Sequence, residues 1–243
     1  MRLMHQFILG AGLPCALLAA ALGLSPDVAA ASAAKAAASA TCPSARAATQ
    51  EVFIAADCDS CWSAPPADSS QAFGGWRFDW IMPGAADAPL AGAALREAGD
   101  RLQRLAQTAP PANAQRQHRQ KSAAGPGPIT LDVAAGLPMN GYYALQLSVG
   151  SRPGQALPAG SSAWLALVEM VPAGRDGTPV ARALVRSVAG PLSLQALRPG
   201  KALDHLAAMR WPEGAQIDRL QARGWVEAPD GRLLAVVAER CRP

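Results

Sequence analysis

The chain has 243 residues, of which half are apolar and only 16% charged, with a net charge of +4. That length accommodates one large domain or two small ones, and the apolar fraction excludes a disordered protein. The weak, scattered positive charge excludes nucleic-acid binding as the main function.

Residues 1–40 read as a secretory signal. Arg2 supplies a positive start, Phe7 to Leu24 an apolar stretch interrupted by Pro14, and Ala31-Ser32-Ala33 and Ala38-Ser39-Ala40 are small-residue cleavage options. The expected location is therefore periplasmic or secreted, with the membrane reached only through an uncleaved signal. Of five cysteines, Cys15 lies inside this apolar stretch, which leaves Cys42, Cys58, Cys61 and Cys241. An even number in an exported chain points to disulfides. The close spacing of Cys58 and Cys61 pairs them, which leaves Cys42 for Cys241. Closing that long loop is worth roughly 5 kcal/mol on a chain-entropy argument. The alternative places Cys42 beside the other two as a resolving thiol.

Glu51 to Cys61, E-V-F-I-A-A-D-C-D-S-C, organises the first half. Val52 to Ala56 is an apolar run of strand length, and the two thiols follow where an α/β sheet usually carries its chemistry. Pro65 and Pro66 delay the next helix to about Ala67–Phe73, which Gly74-Gly75 ends. Trp76 to Met82 alternates apolar and polar residues and predicts a second strand. Asp87 caps a predicted amphipathic helix in which Ala91, Leu95, Ala98, Leu102 and Leu105 form one stripe. Strand, Cys-x-x-Cys, helix, strand, helix implies parallel strands with helical crossovers.

Residues 110–128 are rich in Ala, Gln, Pro and Gly and read as a linker, with the basic cluster Arg116–Lys121 as a solvated part of it. Beyond it, Ile129–Ala134, Tyr142–Val149, Ala163–Val171, Val180–Val188, Leu192–Leu197, Ala222–Glu227 and Leu233–Glu239 are of strand length. Turn residues separate them, which suggests an antiparallel sandwich. Lys201 to Met209 fits a helix or a strand equally. The expected fold class is thus α+β: a reduced thioredoxin-like unit over 41–109, a linker over 110–128 and a β-sandwich over 129–243.

The segment E-V-F-I-A-A-D-C-D-S-C-W-S-A-P-P-A-D resembles the opening of an uncharacterised class of secreted bacterial thioredoxin-like proteins. The matching positions are Glu51, Phe53, Cys58, Ser60, Cys61, Pro65, Pro66, Ala67 and Asp68. The second half resembles the β-rich tail of that class and of related outer-membrane proteins, through Ala163–Val171, Leu184-Val185-Arg186 and Gly190. The resemblance implies a redox-active pair, with Cys58 the more exposed, attacking thiol and Cys61 resolving the mixed disulfide. Trp62-Ser63-Ala64 stands between Cys61 and the prolines, a departure from the class pattern. A cis-proline opposite the cysteine would come from Pro110, Pro128 or Pro138.

Three uses of Cys58 and Cys61 stay open: thiol–disulfide exchange, a structural disulfide, and metal ligation, for instance copper with Met82. Asp57 and Asp59 flank Cys58 and disfavour its thiolate, which predicts a weakly oxidising pair. His118 and His205 have no cysteine at ligand spacing, so no metal or other cofactor is expected. The partners of the exchange reading are other envelope proteins, reached by mixed disulfide; the rival reading is a non-catalytic binding or assembly module. Trp62, Trp76, Trp80, Trp164, Trp211 and Trp225 are expected to pack in cores. Arg186 is expected to be half-buried, with Glu169 as its candidate partner.

Overall fold

The computed structural model describes residues 48–64, 73–122, 128–210 and 214–239. The predicted signal, Cys42, Trp211, Cys241 and most of the predicted helix at 67–73 lie outside the described residues. Ten strands and two short α-helices make up the regular structure described. In chain order these are β1 (Ala48–Ile54), α1 (Asp59–Ser63), β2 (Trp76–Ile81), α2 (Arg96–Arg104), β3 (Gln115–Lys121) and β4 (Ile129–Ala135). There follow β5 (Tyr142–Ser151), β6 (Ser162–Val171), β7 (Arg182–Ser193), β8 (Ala202–Arg210), β9 (Leu220–Glu227) and β10 (Leu233–Ala238).

The strands form a seven-stranded sheet, in the order β10-β9-β6-β7-β2-β1-β3, and a three-stranded sheet, β4-β5-β8. The predicted parallel pairing of the first two strands is present, with Thr49 opposite Trp76 and Ile54 opposite Ile81. The expected division into a thioredoxin-like unit and a separate sandwich is not. Strand β2 joins β7 in parallel at Asp79 and Leu184, so both halves of the chain share the larger sheet. Strand β7 is apolar on both sides at Ala183, Leu184 and Val185, and it is buried by taking a central place in that sheet. The helical content is also too small for an α/β unit: α1 has five residues and α2 nine. The predicted linker at 110–128 contains β3, which pairs antiparallel with β1 from Ala48–Lys121 to Ile54–Gln115.

Strand alternation sorts the core into layers. Phe53 of β1, Phe78 and Trp80 of β2, Trp164 of β6 and Trp225 of β9 face α2, which supplies Ala98 and Leu102. On the opposite face, Leu165, Leu167 and Val226 pack against Leu145, Leu147 and Val149 of the small sheet. Further along that face, Val52, Ile54, Ile81 and Leu184 are covered by Cys58 and Trp62. The predicted helix at 91–105 appears in part. A 3-10 turn occupies Ala91–Ala93, and α2 begins only at Arg96, with Leu95 rather than Asp87 before it.

Gly190 stands where β7 bends past Trp164. Its φ is +148°, and an added Cβ would lie 2.5 Å from Trp164 Cε3 and 3.2 Å from the Ala163 carbonyl oxygen. Trp164 is stacked on Trp225, with ring centroids 5.9 Å apart, and its indole is held by Glu227. Gly190→Ala is therefore expected to cost roughly 2–4 kcal/mol in urea unfolding, from backbone strain and overpacking together. A loss below ~0.5 kcal/mol would show that the bend adapts.

Candidate functional site

Strand β1 ends at Ile54, and the chain turns through Ala55 and Ala56 into Cys58, which caps α1. The turn is held by the Cys58 amide donating to the Ala55 carbonyl at 2.9 Å. The predicted pair is a disulfide, Cys58–Cys61, with Cα atoms 5.2 Å apart. The Cys61 amide donates to Cys58 Sγ at 3.2 Å. The exposures reverse the expected roles: Cys58 is 1% exposed and Cys61 half-buried. Trp62 closes over that side, since its indole Nε1–H donates to the Asp176 carbonyl at 2.7 Å. Asp57 and Asp59 are both exposed, and Asp57 accepts the Asn113 amide at 3.0 Å, tying down the loop before β3.

One arginine holds the far end of α1. Nη2 of Arg182 donates to the carbonyls of Cys61 (2.8 Å), Trp62 (2.6 Å) and Ala64 (2.6 Å). These are the terminal oxygens that a helix cannot satisfy itself, and a cation is favoured there. The guanidinium also stacks on Trp62 at 5.2 Å. Its other side lies 3.4 Å from Asp79 Oδ1. Asp79 in turn accepts the Ala183 amide at 2.7 Å and binds Arg77 at 2.7 Å. Burial lowers the Arg182 pKa below the usual arginine value, against the pull of Asp79. Arg182 and Asp79 are 1% and 0% exposed, so this is an internal clamp.

A second buried network lies across the sheet. Arg101 of α2 donates from Nε and Nη2 to both oxygens of Glu51, at 2.8 and 2.7 Å. Its Nη1 reaches Glu227 Oε2 at 2.5 Å. Glu227 also accepts Trp164 Nε1 at 2.9 Å and lies 3.2 Å from Arg104 Nε. Burial alone would lower the Arg101 pKa, but Glu51 and Glu227 outweigh it and hold it above the ordinary value. Sequence reasoning passed over Glu51, Asp79, Arg101, Arg182 and Glu227 as site residues. The available signal was a single charge inside each of the apolar runs E-V-F-I, F-D-W-I and W-V-E.

The expected Arg186–Glu169 pair is present at 3.2 Å. Arg186 Nε is buried and directs no hydrogen bond, although it lies within ion-pair distance. Both residues line a cleft of about 250 Å³ together with Trp62, Leu90, Leu184 and Gln216. Gln216 secures the rim by donating its amide to Glu169 at 3.1 Å.

Several predicted participants are placed elsewhere. Met82 packs in the α2-side core, across the sheet from Cys58, so a Cys58/Cys61/Met82 ligand set does not form. The cis peptide among the described residues precedes Pro191, not Pro110, Pro128 or Pro138, and it too lies near Trp164 and Arg104. His118 sits opposite Glu51 on β3, where burial lowers its pKa. His205 is on β8.

No family model matches the chain. No curated protein matches it either. Two solved structures from Porphyromonas gingivalis resemble it. One is a domain of the outer membrane lipoprotein Omp28, at 16% identity over 49% of this chain and 93% of that one, with a TM-score of 0.32. The other is HBP35, at 12% identity over 80% of this chain and 75% of that one, with a TM-score of 0.45.

Proposed function

We propose that the protein is an exported, non-catalytic binding or assembly module whose Cys58–Cys61 disulfide fastens α1 over the larger sheet. The observation that carries this reading is the burial of Cys58 at 1% exposure, beneath a helix whose last carbonyls are taken by Arg182. In the exchange reading Cys58 is the attacking thiol and has to meet an outside partner, and Cys58 is the sulfur that is sealed. The cleft beside Trp62, with Arg186 and Glu169 on its wall, is the concave surface that a binding role would use. The signal-like start and the disulfide support a periplasmic or secreted location. Kinship with the secreted class that shares Cys-x-Ser-Cys and Pro-Pro-Ala-Asp belongs to the same proposal, without the thioredoxin-like fold.

The test is paired. In cells, alkylation trapping is expected to find Cys58 and Cys61 oxidised at all times, and the purified protein to reduce insulin no faster than dithiothreitol alone. The Cys58→Ser/Cys61→Ser variant is expected to keep its strand content and lose about 2 kcal/mol, the value of closing so short a loop. A mixed disulfide captured by either single Cys→Ser variant would overturn the reading in favour of exchange.

A further inference from the structure

The outer strands of the two sheets are not equally protected. An exposed strand edge is a template for another strand, and folds discourage this with like charges, irregularities or cover. Strand β3 carries Arg116, Arg119 and Lys121. Strand β10 has a register shift between Leu233 and Ala235. Strand β4 lies against β9 and β10. Strand β8 has no run of like charge and no irregularity. It pairs with β5 without a break from Ala202 to Arg210, contains no proline, and has no strand hydrogen-bonded along its other edge among the described residues, although β7 comes into contact with it. Leu206, at its middle, is 79% exposed.

Its outward side chains are Ala202, Asp204, Leu206, Ala208 and Arg210, all exposed. Neither Asp204 nor Arg210 forms an ion pair among the described residues. An antiparallel copy of the same strand, centred on Ala207, matches this pattern to itself. Asp204 then lies opposite the second copy's Arg210, and Arg210 opposite its Asp204. Leu206 lies over the second copy's Ala208, and the two Ala207 residues meet at the axis. Opposite residues in an antiparallel pair share a face, so both charge pairs and both apolar pairs form on the outward side. Such an interface is isologous and closes on itself.

We infer that β8 pairs antiparallel with β8 of a second copy of this chain, in the register centred on Ala207, and joins the two three-stranded sheets into one of six strands. The area is small, so the dimer is weak and concentration-dependent. It goes beyond the binding-module reading and does not depend on the state of the disulfide.

Sedimentation equilibrium of the purified protein tests it. The expected result is a monomer–dimer equilibrium that Asp204→Arg or Arg210→Asp alone weakens at least about tenfold, because each puts like charges opposite one another twice. The Asp204→Arg/Arg210→Asp variant is expected to restore the wild-type constant, since the pairs are then reversed. Both residues are exposed, so the variants fold. In parallel, the Ala207→Cys variant is expected to form a covalent dimer under mild oxidation, through the two thiols introduced at the axis, where the separation matches disulfide geometry. A protein that stays monomeric, single swaps without effect, a double swap that fails to rescue, or an Ala207→Cys variant that does not crosslink would each overturn the register or the dimer itself.

Discussion

Arg101→Met is expected to lower the unfolding free energy by about 3–5 kcal/mol, which for a protein of ordinary stability removes much of the margin. The size follows from what is left behind. Glu51 and Glu227 are 3% and 0% exposed, and Arg101 donates to both. Without it, Glu51 keeps no arginine among the described residues, and Glu227 keeps Arg104 and the Trp164 indole. Methionine fills much of the same volume, so a cavity does not account for the loss. Replacing Glu51, Arg101 and Glu227 together by apolar residues is expected to recover most of the stability, because no buried charge then lacks a partner. Arg104 is partly exposed and can turn to water. Urea unfolding of the single and triple variants distinguishes the cases. A single variant within ~1 kcal/mol of wild type means that water reaches these carboxylates.

Arg182→Met carries the second large effect, also about 3–5 kcal/mol. Among the described residues it leaves Asp79 with Arg77 as its ion-pair partner and Arg223 as the other cation near it, and strands the carbonyls of Cys61, Trp62 and Ala64. The loss has a local signature that a general destabilisation does not share. Helix α1 loses the hold on its last turn, so the Cys58–Cys61 bond is expected to be reduced several-fold faster by dithiothreitol at temperatures where the variant remains folded. Gly190→Ala, destabilised at a site across the sheet, serves as the control and should leave that rate unchanged. Equal acceleration in both variants would mean that reduction follows global opening and that Arg182 is no clamp.

The local parts of this fold were legible in the chain. Strands β1, β2, β4, β5, β6, β9 and β10 coincide with apolar or alternating runs, because each buries at least one face. The Cys58–Cys61 bond and the Arg186–Glu169 pair were also readable, one from spacing and the other from a lone charge among valines and leucines. Strand β3 was not, since Q-R-Q-H-R-Q-K has no apolar residue and is held at a sheet edge by its backbone bonds to β1. The partnership of β2 with β7 was beyond reach for a different reason. Periodicity reports that a strand is buried and says nothing about which distant strand covers it. That missing fact turned a predicted two-part protein into one with a shared sheet. The reversed exposure of the cysteines has the same origin, because Trp62 is fixed by a carbonyl of Asp176, far away in the sequence.

The bridge from Glu51 through Arg101 to Glu227 joins the first strand described to the ninth. A ribosome delivers these residues one after another, so Glu51 and Arg101 are made well before Glu227. Until β9 has emerged, the sheet lacks both its anchor for Trp164 and half the charge balance of α2. Chains shorter than this hold Glu51 and Arg101 paired but leave Arg104 and the Trp164 indole without their carboxylate, so the α2 face of the sheet is completed only with the ninth strand.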